Sequence, residues 1–229
     1  MAPTTEIVIL KLKDPASSLS DSSPTATLWH SILSTAISQP GAQRLHWGVV
    51  IEDPSLVRLF IDWDTLAHHK TFEASEAYAP FVENVLTIFS EITLMAHTDL
   101  KDLNGTARDV FTSPASEMLS VFFPTEYTSA QQDTFEKGMY QFLANIEGKA
   151  PGSRAAAAGW GFESDIPNLK IEGEKGRAFF LFIGWNKVED HLAFRGTEAY
   201  RENIHFIAGA EVLRGFVNMH MHGREVVSQ

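Results

Sequence analysis

The amino-acid sequence predicts an α+β protein made of two successive β-α-β-β-α-β copies. The first sign is an internal repeat. Phe60-Ile61-Asp62-Trp63-Asp64-Thr65-Leu66 matches Phe182-Ile183-Gly184-Trp185-Asn186-Lys187-Val188, at an offset of 122 residues. The match runs on without a gap through His69/His191, Phe72/Phe194, Ser75/Thr197, Glu76/Glu198, Ala77/Ala199 and Tyr78/Tyr200, with eight identities in all. A repeat of this length marks a duplicated structural unit. The second sign is that strand-like and helix-like stretches follow one another in the same order on both sides of the repeat.

In the first copy, Glu6 to Leu12 is rich in β-branched residues and reads as a strand. A loop from Asp14 to Pro24 follows. Leu28, Trp29, Ile32, Leu33, Ala36 and Ile37 recur at three and four residues, the period of a half-buried helix. Pro40-Gly41 stops it. Arg44 to Ile51 and Leu56 to Trp63 are strands about the Glu52-Asp53-Pro54 turn. Asp64 or Thr65 can cap the next helix, Pro80 implies a break or a fresh start, and Glu91 to His97 is the last strand. In the second copy the strands are Glu117–Phe123, Ala155–Phe162, Gly176–Trp185 and Glu211–His222, and the helices are Ser129–Ile146 and about Lys187 to Ala208. This is the ferredoxin-like order, and each copy leaves one sheet face apolar for its partner to bury.

The expected organisation is a first half at 1–98, a linker at 99–115 containing Asn104-Gly105 and Ser113-Pro114, and a second half at 116–229. A weaker upstream match sets Pro40-Gly41, Arg44 and Trp47-Gly48 against Pro151-Gly152, Arg154 and Trp160-Gly161, with a gap of two residues.

Composition narrows the chemistry. There is no cysteine, which excludes disulfides, thiolate metal sites and a Cys nucleophile. The net charge of −11, from 18 basic and 29 acidic residues, disfavours nucleic acid and anionic membranes as partners. The start lacks the pattern of a signal peptide and no apolar run reaches a membrane span, so a cytoplasmic protein is expected. Dinucleotide, P-loop and HExxH motifs are absent, so no cofactor and no metal is expected.

The element order, with Trp63 and Trp185 ending their strands and W-x₅-H-x₂-F-x₂-[ST]-x₂-Y running into the next helix, resembles the dimeric α+β barrel superfamily. It is most similar to the antibiotic-biosynthesis-monooxygenase type found as tandem copies in fungal proteins. The resemblance spans both halves. It implies two barrel subunits fused into a pseudo-dimer, with a pocket in each half between the curved sheet and its helices. The superfamily includes cofactor-free monooxygenases of aromatic polyketides, polyketide cyclases, muconolactone isomerases, haem-degrading enzymes and stress proteins. Fold does not choose among them.

The candidate catalytic residues follow from the repeat. His69 and His191 each share a helix face with apolar neighbours and look inward, as a general acid or base would. The polyketide cyclases of the superfamily carry a catalytic His fifteen residues beyond the strand-ending aromatic. Here Tyr78 and Tyr200 stand at that distance, able to donate a hydrogen bond but weak as bases. His220 and His222 share a face of the last strand, and His97 holds a comparable place in the first half. Trp63, Phe72, Trp160, Trp185 and Phe194 are the candidate substrate walls. The expected function is cofactor-independent cyclisation or isomerisation of a hydrophobic polyketide- or terpenoid-like small molecule in secondary metabolism, by His/Tyr acid–base chemistry. The alternatives are a cofactor-free monooxygenase using O₂ and a non-catalytic ligand-binding or stress-response protein with filled pockets. The second half, with His191, His220 and His222, is favoured as the working site, and the fused chain is expected to be able to pair further into a homodimer.

Overall fold

A computed structural model of the chain describes residues 3–15, 19–20 and 22–226. In chain order the elements are β1 (Thr4–Leu12), α1 (Pro24–Ile37), β2 (Ala42–Val49), β3 (Leu56–Trp63), α2 (Leu66–Glu73), α3 (Tyr78–Ile88), β4 (Phe89–Asp99), β5 (Lys101–Asn104), α4 (Ala107–Phe111) and β6 (Ala115–Phe123). They continue with α5 (Ser129–Ile146), β7 (Ser153–Trp160), β8 (Ile166–Pro167), β9 (Lys175–Trp185), α6 (Val188–Arg195), α7 (Glu198–Asn203), α8 (His205–Ala208), β10 (Gly215–Met221) and β11 (Arg224–Val226). The expected loop at Asp14 to Pro24 includes positions 16–18 and 21, which lie outside the described residues. No helix among the described residues is long and apolar enough to cross a membrane.

The chain divides into two compact units: residues 1–100 with 221–229, and residues 101–220. In the first, the sheet order is β11-β2-β3-β1-β4, and in the second β10-β6-β9-β7-β5. The four strands β4-β1-β3-β2 and their counterparts β10-β6-β9-β7 have the ferredoxin-like order, so the α+β class and the duplicated unit are as the sequence predicts.

Strand alternation builds each core. In the first unit Val8, Leu10 and Leu12 of β1 and Val57, Leu59, Ile61 and Trp63 of β3 share one face with Trp29, Ile32 and Leu33 of α1. Trp29 is fully buried, edge-on to Trp47 at 5.5 Å and to Phe89 at 5.2 Å. Burying a side chain of that size contributes about 1.5–3 kcal/mol. Ser23 caps α1 by accepting from the Ala26 N–H at 3.1 Å. In the second unit Leu119, Val121 and Phe123 of β6 and Phe179, Leu181, Ile183 and Trp185 of β9 pack on Phe135, Met139 and Phe142 of α5. There Thr128 and Gln131 form a reciprocal capping box.

Four expectations are corrected. Residues 99–115 are not a linker: β5 pairs with β7, and α4 carries a Thr106/Asp109 capping box and the buried Val110 and Phe111. Nor do the last residues extend the second unit. The expected strand at 211–222 begins only at Gly215 and ends at Met221, and β11 then pairs with β2 in the first unit. The expected helix at 187–208 is three short ones, because Gly196 ends α6 and Ile204 separates α7 from α8. Finally, strand register does not equate Trp47 with Trp160. Trp47 lies across from Leu59, and the position across from the equivalent Leu181 is Ala158. The alanines of β7 leave a cavity of about 280 Å³ that Ala155, Ala156, Leu143, Ile146, Ile183 and Trp185 help to line.

Gly176 in β9 lies so close to β6 that a Cβ there would sit 2.0 Å from the Phe123 carbonyl oxygen. Backbone cannot give way as a flexible side chain can. Gly176→Ala is expected to lower unfolding stability by about 1–3 kcal/mol in chemical denaturation, and an unchanged midpoint would contradict this packing.

Candidate active site

Each unit buries one carboxyl group, one indole and two imidazoles in contact. In the first unit, alternation puts Glu6 on the core face of β1, in line with Val8 and Leu10, and across from His97 of β4. Trp63, which ends β3, donates its Nε1–H to Glu6 Oε2 at 2.9 Å. His69, one turn into α2, stacks on the Trp63 ring at 5.0 Å with 27° between planes. Its Nε2 stands 3.5 Å from Glu6 Oε2 and its Nδ1 lies 2.7 Å from His97 Nε2. Glu6, His69 and His97 are all under 5% exposed, so the polar groups meet one another instead of water.

The second unit repeats the arrangement. Trp185 Nε1–H donates to Glu117 Oε2 at 2.6 Å. His191 stacks on Trp185 at 5.1 Å, with its Nε2 3.6 Å from Glu117 Oε1 and its Nδ1 2.8 Å from His220 Nε2. These are equivalent positions of the two copies. A buried ionisable group is costly unless paired, and here three are paired in each half.

The electrostatics follow from burial. The Glu6 carboxyl is pushed up from its ordinary value of 4.5 to about 7, chiefly by desolvation, against the opposing effects of the Trp63 donor and His97. Its remaining neighbours are Glu73, which raises it, and Lys70, which lowers it. Glu73 also stands 3.8 Å from His69 Nε2 and pairs with Lys70 at 2.7 Å. A carboxyl near 7 can release and take up a proton at neutral pH. A protonated His69 would be held by the Trp63 ring face. The joined imidazoles give the proton a path from His69 to His97.

Both groups lie at the polar end of an apolar cavity. Glu6, Trp63 and His69 meet Trp29, Phe72, Tyr78, Phe81 and Met95 around about 40 Å³ of free space. The equivalent cavity, about 60 Å³, is lined by Glu117, Trp185, His191, Phe194, Tyr200 and Asn218 among others. Each is room for only a few water molecules.

Glu6, His69 and His97, and likewise Glu117, His191 and His220, bring ligand-type atoms within 4.8 Å of one another. Two histidines and one carboxylate are a known iron-ligand set. The fit is poor as the groups stand. His69 Nδ1 and His97 Nε2 lie 2.7 Å apart, and His191 Nδ1 and His220 Nε2 2.8 Å, the length of an N–H···N bond, so in each pair one nitrogen carries the proton and the other's lone pair is turned to it and not to an ion.

The structure thus brings His69 together with Trp63, Phe72 and Tyr78, and His191 together with Trp185, Phe194 and Tyr200. Burial, then Glu73 and Glu6, pushes the Tyr78 hydroxyl up to about 12, which keeps it a donor. His220 joins the second network, but His222 does not. It is exposed in the turn after β10, because that strand ends one residue earlier. Trp160 is also outside, packed among Phe123, Tyr127, Phe135 and Phe179 on another part of the core. The carboxyl groups were missed by sequence reasoning. Their signal was an acidic residue at the same place in both copies, opening an otherwise apolar run in Glu6-Ile7-Val8 and Glu117-Met118-Leu119.

Because Glu6 holds a proton in the folded chain up to about pH 7, and in the unfolded chain only to about 4.5, folding takes up a proton between those values. Stability therefore falls as pH rises through that window, by on the order of 3 kcal/mol. Glu6→Gln keeps an acceptor for Trp63 but cannot ionise. It should be more stable than the native chain above about pH 7 and lose this dependence in denaturation curves; an identical pH profile would refute the assignment.

No family model matches the chain, and no curated protein matches it. Solved structures do. A structure named anthrone oxidase-like protein aligns with a TM-score of 0.71 at 13% identity, over 98% of this chain and 94% of that one. A "putative monooxygenase" from Lactobacillus acidophilus aligns at 0.58 and 13%, over 100% and 97%. Another of that name, from Fusobacterium nucleatum, aligns at 0.60 and 10%, over 97% and 92%. At such identities the likeness shows the fold: an α+β chain with ferredoxin-like units, similar to these proteins along its whole length.

Proposed function

We propose that the protein is a cofactor-free acid–base enzyme that removes a proton from an apolar, enolisable small molecule, and that the first unit does this work. The observation that carries the reading is the Glu6–His69–His97 chain at the polar end of an apolar cavity. Glu6 Oε1 accepts the substrate proton and the Tyr78 hydroxyl donates to the developing oxyanion; His69 takes the proton from Glu6 at Nε2 and passes its Nδ1 proton to His97, which stores or returns it. Assigning the work to the first unit departs from the sequence-based preference for the second.

The carbanion so formed has three outcomes. It can meet O₂, close a ring or be reprotonated elsewhere, giving oxygenation, cyclisation or isomerisation. Oxygenation is supported by the monooxygenase and oxidase-like names of whole-chain structural neighbours. Cyclisation or isomerisation of a polyketide- or terpenoid-like compound needs the same first step. Substrates of such size need roughly 300 Å³ or more, so α2 and α3, joined at 74–77, act as the lid that must move.

The small free volumes, about 40 and 60 Å³, favour a second reading, a non-catalytic ligand-binding or stress-response protein. Anthrone separates the two. The enzyme reading expects accelerated exchange of its methylene protons in deuterated buffer, with O₂ uptake if the product is oxygenated. Glu6→Gln and His69→Ala should each slow exchange by about 10²-fold or more, while Glu117→Gln leaves it near native. Exchange no faster than in buffer would leave the binding reading in place.

A further inference from the structure

The two sites differ at one decisive position. Two residues before the buried histidine of the last strand, the first unit has Met95 and the second has Asn218. Asn218 Nδ2 donates to Glu117 Oε1 at 2.5 Å, while Trp185 holds Oε2. Both oxygens of Glu117 are therefore engaged by fixed N–H donors. In the first unit Met95 has no such donor to offer, and Glu6 accepts only from Trp63 among the described hydrogen bonds. The amide that secures Glu117 leaves its own Oδ1 buried without a donor among the described residues. A buried acceptor left open in this way costs free energy that a matching donor would recover.

We infer that the second-unit cavity is a recognition site for the hydroxyl or N–H end of an apolar molecule, accepted by Asn218 Oδ1, and is not a second proton-transfer site. Asn218 lines this cavity beside Leu119, Phe142, Phe194 and Tyr200. Away from Glu117, His191, Asn218 and Arg195 its walls are apolar, so the ligand body is apolar, and the group read is a donor, because a bare oxyanion has none to give. The partly exposed Phe216 and the exposed Arg195 also line it and mark its solvent side. The assignment of proton transfer to the first unit rests on the preceding section; the recognition site does not.

Phenol and toluene test it, being alike in size and differing in the donor; both exceed the about 60 Å³ of free space, so the solvent side at Phe216 and Arg195 must widen equally to admit either one. Binding to the full chain is followed by calorimetry and by chemical shifts of β6 and β10 amides, without turnover, so failure here is separable from failure of the enzyme reading. Phenol should bind about tenfold or more tighter than toluene. Asn218→Met should bring the ratio close to one. Met95→Asn, which carries the amide to the first unit, should retain the preference and add a second phenol-selective site. Equal binding of the two probes, or a preference that survives Asn218→Met, would overturn the inference. Should Asn218→Met fail to fold, the absence of an added site in Met95→Asn would overturn it equally.

Discussion

A carboxyl group buried in an apolar layer must be surrounded before the chain around it can fold. In both units that demand is met by a tryptophan, joined in the second by Asn218. Its indole N–H is the donor the carboxyl needs, and its ring is the surface against which the helix histidine lies flat. The same residue ends the third strand of the ferredoxin-like order and opens the turn into the helix. One side chain therefore fixes the strand register, the start of the helix and the polar cluster together. The histidine pair completes the enclosure, because a lone buried imidazole would face the same desolvation cost.

Duplication has kept this arrangement while the surroundings diverged. On the inner strand facing Ile61 and Leu59 the first copy has Leu45 and Trp47, and the second has Ala156 and Ala158 facing Ile183 and Leu181. On the helix, Glu73 of the first copy corresponds to Arg195 of the second at the 122-residue offset. Bulk and charge have both been exchanged around a constant Glu–Trp–His–His centre. A purely structural centre could also persist, but a core that only needed filling could have replaced all four groups with apolar ones at little cost.

The sequence made the fold legible because strand alternation and helical period are local signals. The span Leu56–Trp63 and the helix Ser129–Ile146 could be bounded to the residue. The repeat also singled out His69 and His191, whose spacing from Trp is local. What escaped was long-range. Glu6 and Trp63 are 57 residues apart, and Glu117 and Trp185 are 68 apart, so no spacing rule joins them. His222 looked equivalent to His220 because a strand was expected to continue, and only pairing partners decide where a strand ends. The role of 99–115 was hidden in the same way, since Asn-Gly and Ser-Pro turns occur inside packed segments as readily as between domains.

Strand β11 gives the first unit a history as well as a shape. Its three residues, 224–226, cover the edge of β2, yet every other strand of that sheet lies within the first 100 residues. Synthesis runs from the N-terminus at about 5–20 residues per second, so a nascent chain presents the sheet with that edge open for on the order of ten seconds while the intervening residues are made. An open edge is a template for strand pairing with neighbouring chains. The speed of the ribosome over the second half thus becomes part of how safely the first half folds.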